Sequence, residues 1–135
     1  VREVLEGLGT RLATENTAPE SWQDLVDLFA GLVDTEMNED ELTTYSNAID
    51  VVRWRTVDAA GNLLLTDLLD SIYDRTRMVT RRIVVLPGRA EQGIKERRGI
   101  LAAMRRGDGP EAERLKRENI RSSRDWLRRY ETFVL

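Results

Sequence analysis

Residues 17–33, TAPESWQDLVDLFAGLV, decide the fold class. Trp22, Leu25, Val26, Phe29, Leu32 and Val33 recur at steps of three and four, the period of a helix that buries one face. Thr17 with Glu20 spells a capping box ahead of that stripe, and Pro19 falls in the first turn, where its missing N–H costs little. The segment predicts an amphipathic helix with a defined start.

The same grammar extends in both directions. Upstream, residues 2–13 predict a helix with Val4, Leu5, Leu8 and Leu12 on its inner side. Downstream, Asn38 and Glu41 repeat the capping pattern and open a helix striped by Leu42, Tyr45, Ile49, Val52 and Thr56. Gly61-Asn62 ends it, glycine being the residue that takes a left-handed cap without strain. Residues 63–85 place Leu65, Leu68, Leu69, Ile72, Val79 and Ile83 on one face, until Pro87-Gly88 breaks the chain. Residues 91–106 present Ile94, Leu101 and Met104. Asp108 and Glu111 then cap a last helix that carries Ala112, Leu115, Trp126, Tyr130 and Phe133, with Pro110 in its first turn. No segment alternates with period two, and the connections are short. The expected architecture is all-α, an antiparallel bundle of about six helices forming one domain over residues 1–135.

Composition narrows the function. There is no histidine and no cysteine, so a metal held by imidazole or thiolate is excluded, as is a disulfide framework. No nucleophile–base pair of the Ser–His or Cys–His kind is available, and an enzyme is not expected. No apolar run is long enough to span a bilayer, so no membrane partner is expected and a cytoplasmic location is. Residues 1–70 carry a balance of −11 and residues 71–135 one of +8. Because the arginines are interspersed with acids, the expected arrangement is acidic helices packed beside basic ones, rather than a surface for nucleic acid.

Three helices carry polar side chains where the stripe calls for apolar ones. Arg97 lies three after Ile94 and four before Leu101; Asn119 and Ser122 lie four and seven after Leu115, with Trp126 four further on; Arg53 is four after Ile49. A guanidinium inside a bundle must face an acid, water or a ligand. The alternatives are arginines that snorkel to solvent and an asparagine bonded to a neighbour.

At these residues the chain resembles the FCD-type effector-binding domain, the C-terminal half of many GntR-family transcription regulators. The resemblance is carried by Arg2-Glu3-Val4-Leu5-Glu6 with Arg11-Leu12-Ala13, by Ala59-Ala60-Gly61-Asn62, and by Ile100-Leu101-Ala102-Ala103-Met104 with Gly107-Asp108 and Ala112. In metal-binding members an Asp and three His hold a divalent ion inside the bundle. The resemblance places these ligands at Ile49, Arg53, Arg97 and Asn119, none of which retains the metal-binding residue; Asp50 is one position off. It therefore implies a pocket at these positions without its usual metal, and no cofactor is expected. Metal-free, fatty-acid-responsive members are similar at Arg2 and at Ser122 with Trp126.

The resulting expectation is a sensor domain for a small anionic effector, an organic acid or an acyl thioester. Arg53 and Arg97 would meet its charge, Asn119 and Ser122 would orient it, Trp126 and Tyr45 would cover its apolar part, and Arg2 is a further candidate. The resemblance also implies a homodimer that touches DNA only through an N-terminal winged-helix domain outside this chain. The alternative is a vestigial, purely dimerising domain in which internal acids such as Asp50 and Glu96 satisfy the two arginines.

Overall fold

A computed structural model describes the backbone of residues 1–134 and the side chains of residues 1–130. Its described residues form six α-helices and no strand: α1 (Arg2–Glu15), α2 (Gln23–Ala30), α3 (Glu39–Ala60), α4 (Leu63–Val84), α5 (Arg89–Arg105) and α6 (Gly109–Val134). The all-α bundle expected from periodicity is the observed fold.

Most of the punctuation acts as read. Asn38 and Glu41 form a reciprocal capping box, and Gly61 ends α3 with φ of 64°. Asp108 accepts the Glu111 N–H at 3.1 Å, starting α6. Asn62 caps α4 by accepting the Leu65 N–H at 2.9 Å. The Thr17–Glu20 box does not form. Thr17 instead donates to the Ala13 carbonyl and accepts from the Trp22 indole, so residues 19–22 make a short 3-10 turn ahead of α2. Because α2 stops at Ala30, Val33 lies in the following loop and is exposed. Arg98 holds that loop by donating to the Phe29 and Leu32 carbonyls and to Asp34.

The main core joins Trp22, Leu25 and Phe29 to Tyr45 and Ile49 of α3 and to Ile94, Ile100, Leu101 and Met104 of α5. A second cluster packs Val57 and Ala60 against Leu65, Leu69 and Tyr73, with Leu5 and Leu12 on its margin. Leu68, expected inside, is exposed, while Tyr73 takes a buried place on the same helix. On α6, Ala112 and Ile120 are buried, and Leu115, Trp126 and Tyr130 are only half-buried. The side chain of Phe133 lies outside the described residues.

The largest departure concerns α1. Val4 and Leu8, expected to face the core, are 51% and 38% exposed. The buried face is Glu6, Gly7, Gly9, Thr10, Ala13 and Thr14. The reason is steric. Helix α1 is wedged among α3, α4 and α6, and a Cβ on Gly7 would stand 2.8 Å from Arg117 Cγ, one on Gly9 2.8 Å from Leu69 Cδ1. Only a face of small residues admits such close neighbours. Thr10 and Thr14 satisfy their hydroxyls on carbonyls one turn back, so their burial leaves no donor stranded.

Acidic and basic halves pair across helices, as the charge pattern anticipates. Glu3 accepts from Arg117 and Arg121, both at 2.9 Å, and these two hydrogen bonds hold its carboxyl down at about 2. Asp34 pairs with Arg98 and Asp50 with Arg81 in the same way, while Asp24 pairs with Arg55 inside the acidic half.

Candidate functional site

Helices α1, α3, α5 and α6, with Tyr73 of α4, enclose a small cavity in the middle of the bundle. Its apolar wall is Ile49, Val52, Ile100, Leu101 and Met104; its polar wall is Thr10, Thr56, Tyr73, Arg53, Arg97 and Lys116. The free space is about 20 Å³, room for roughly one water molecule.

Arg53 and Arg97 are both buried, at 6% and 8% exposure. Among the described residues each makes a single hydrogen bond, to a neutral oxygen: Arg53 Nη2 donates to Thr80 Oγ1 at 3.1 Å, and Arg97 Nη1 donates to the Tyr45 hydroxyl at 2.8 Å. Each also lies against an aromatic face, Arg53 at 4.8 Å from the Tyr73 centroid and Arg97 at 5.7 Å from that of Tyr45. Among the described residues neither forms an ion pair. Asp50, the acid nearest Arg53 in sequence, faces Arg81 instead, and Glu96, next to Arg97, binds Arg89 at 3.1 Å. Arg53 Nε is buried with no hydrogen-bond partner among the described residues.

The acid that does enter this region is Glu6 of α1. Its side chain is fully buried, paired with Arg2 through Oε2, while Oε1 has no hydrogen-bond partner and lies 3.7 Å from Lys116 Nζ. Burial pushes the Glu6 carboxyl up, but Lys116, Arg2 and Arg53 outweigh it and hold the group below the usual carboxylate range. Lys116 is pushed down to about 7, chiefly by burial; Glu6 opposes the shift, and Arg97, Arg53 and Arg2 reinforce it. Lys116, Arg2 and Arg53 thus act on the one carboxylate, and with Arg97 the arginines give the region a positive surplus.

The remaining expected residues fall around this centre. Arg2 and Tyr45 line a second small void with Arg97, Thr80, Arg89 and Ser123. Asn119 is buried but does not line the central cavity. It donates to Glu96 at 2.7 Å, as does Ser122, and Arg89 reaches Glu96, Ser122 and Ser123 together. This closed network buttresses the α5–α6 contact. Trp126 is not brought to the cavity. It stacks on Tyr130 at 6.0 Å and, with Ser122, borders a surface groove of α6. Sequence reading missed Glu6, Lys116 and Arg89.

Arg53 and Tyr73 border two spaces at once, the interior cavity and an outer groove of about 310 Å³ between α3 and α4 that also contains Trp54 and Arg77. The cation–π pair is therefore the partition between inside and outside.

The donor chemistry does not fit the divalent metal implied by the resemblance. Ile49 has no donor atom, and the guanidiniums of Arg53 and Arg97 stay protonated and offer no lone pair. No group of three or more carboxylates suited to a metal occurs among the described residues. Among the described residues no helix is long and apolar enough to cross a membrane.

The described residues thus form an all-α bundle with a charged cavity at its centre. The FCD domain model matches residues 1–122, and the chain belongs to that family. FCD domains are the effector-binding and dimerisation units of GntR-family transcription regulators. No curated protein and no solved structure matched the chain.

Proposed function

We propose that residues 1–135 form the sensor and dimerisation domain of a transcription regulator, and that the effector is a small organic anion bound without metal. The observation that carries this reading is a pair of buried arginines with no acid on either, one of them holding an unpartnered Nε. Natural interiors satisfy such groups, and a carboxylate ligand would do so through charge-assisted hydrogen bonds worth about 1.5–3 kcal/mol each. Arg53 and Arg97 meet the carboxylate, Lys116 adds a third charge, and the Ile49–Met104 wall covers the short apolar part. Tyr45 releases Arg97 to the ligand, Arg2 keeps Glu6 in place, and Asn119 and Ser122 act through Glu96 rather than by contact. Trp126 has no role in this scheme.

The cavity size favours a compact acid over an acyl chain. Even a compact acid requires Arg53 and Arg97 to leave Thr80 and Tyr45, so binding is coupled to a rearrangement of α3 against α4 and α5. That coupling gives the ligand a differential affinity for two states, the requirement for regulation. Succinate and glutarate are expected to raise the melting temperature, whereas zinc, nickel and chelators leave it unchanged; stabilisation by either metal would overturn the reading. The small free volume favours one competing view, a vestigial domain that only dimerises. In that view the arginines contribute to stability, which the Arg53 substitution discussed below decides.

Dimerisation rests on the apolar face that α1 and α4 leave uncovered: Val4 and Leu8 one turn apart, and Leu64 and Leu68 at 73% and 42% exposure. A second copy supplies a matching surface, and a regulator at a two-fold operator needs two copies. Sedimentation should give a dimer for the chain and a monomer for Leu68→Glu; a wild-type monomer at tens of micromolar would contradict the proposal. The domain acts in the cytoplasm and contacts DNA only through a separate reader, and it performs no catalysis.

A further inference from the structure

We propose that Glu6 is a tethered competitor for the cavity's cations, so that the effector binds by displacing the hold of this carboxylate on Lys116. The inference rests on the anion-sensing reading and extends it by setting Glu6 against the ligand.

Three observations converge on it. Glu6 is the carboxylate among the described residues that shares the buried cation cluster, with its side chain wholly enclosed. One of its oxygens is committed to Arg2; the other has no hydrogen-bond partner and stands 3.7 Å from Lys116, beyond a good charge-assisted bond. Arg53 presents the complementary unpartnered donor from the cavity wall. The unfilled donor on Arg53 leaves the cluster with capacity for an anion, while the unfilled acceptor on Glu6 marks the charge that anion must compete with. The Glu6 charge supports the folded state without a ligand, by partly neutralising Lys116, Arg2 and Arg53. It also opposes any second anion entering nearby, because two like charges a few ångströms apart repel strongly at low effective dielectric. Glu6 thereby sets the charge class of the effector. A ligand with two negative charges engages Arg53, Arg97 and Lys116 together and overcomes the resident carboxylate, whereas a monoanion does not.

Calorimetric titration of wild-type chain, Glu6→Gln and Lys116→Met with succinate and with acetate tests this. Glu6→Gln is expected to bind succinate about tenfold or more tightly than wild type and to gain measurable acetate binding. Lys116→Met is expected to lose about tenfold for succinate. Should Glu6→Gln not fold, Glu6→Asp, whose carboxylate is withdrawn by one methylene, is expected to show the same direction. Wild-type succinate binding that Glu6→Gln or Glu6→Asp leaves unchanged or weakens overturns this inference alone. No succinate binding by any variant overturns the anion-sensing reading with it.

Discussion

Arg53→Met is expected to raise the unfolding free energy of the ligand-free domain by about 1–3 kcal/mol while abolishing its response to succinate. Arg53 sits at 6% exposure, donates one hydrogen bond to Thr80 among the described residues and lies against the Tyr73 ring. Burial disfavours its charge; the attraction of Glu6 opposes that effect, and the neighbouring Arg97 and Arg2 add repulsion. Methionine fills comparable space, removes the unpartnered Nε, and leaves Glu6 with Arg2 and Lys116. A gain of stability with a loss of binding is the signature of a group held for function. A loss of stability, seen by chemical denaturation, would mean that Arg53 is structural and would favour the vestigial alternative.

Gly93→Ala is expected to destabilise the domain by about 2 kcal/mol, although alanine is the better helix former by about 1 kcal/mol. A Cβ at residue 93 would stand 2.5 Å from the Tyr45 hydroxyl and 3.2 Å from Arg97 Nη1. Tyr45 is 1% exposed and packs edge-on against Phe29, with ring centroids 6.4 Å apart, so its ring has little room to retreat. The substitution therefore breaks the bond that holds Arg97. Tyr45→Phe removes the clashing oxygen and should recover the packing part of the loss. A double-mutant cycle measured by denaturation gives the coupling directly. Additive effects would mean that Gly93 and Tyr45 do not meet.

The fold was legible because its signals are local. The helical period, the Asn38–Glu41 box, Gly61 and Pro87-Gly88 each act on a few neighbouring residues, and tertiary contacts did not override them. Arg97 was legible for the same reason: it lies in register with Ile94, Leu101 and Met104, all fully buried, so its burial follows from theirs. Helix α1 shows where this logic fails. Hydrophobic periodicity ranks Val4 and Leu8 as core, yet the helix buries its small and polar face because three neighbours crowd it. Glu6 was hidden by that inversion. Its available signal was the company of Gly7, Gly9, Thr10, Ala13 and Thr14, a face whose small volume suits close packing. Lys116 follows Ala112 by four and precedes Asn119 by three, a register that puts it on the buried side, whereas the reading of α6 followed the Leu115 stripe alone. Trp126 misled because it continues the Leu115 stripe to a half-buried position, where its ring lies by the turn at Gly88.

The cationic cavity also explains why the lost metal ligands matter. Ile49, Arg53 and Arg97 line the same space, so three of the four positions where the resemblance places the ligands of an ion border it, and two of them bring fixed positive charge. A metal supplies charge only when bound, whereas these arginines carry it permanently. Glu6 tempers it.

The central claim is that these side chains exist to bind an anion, and calorimetric titration of succinate into wild-type, Arg53→Met and Arg97→Met chains tests it most directly. Saturable binding at one site per chain, lost in both variants although both remain folded, is the expected result. Binding that survives both substitutions, or a chain that takes up zinc and ignores succinate, would contradict it.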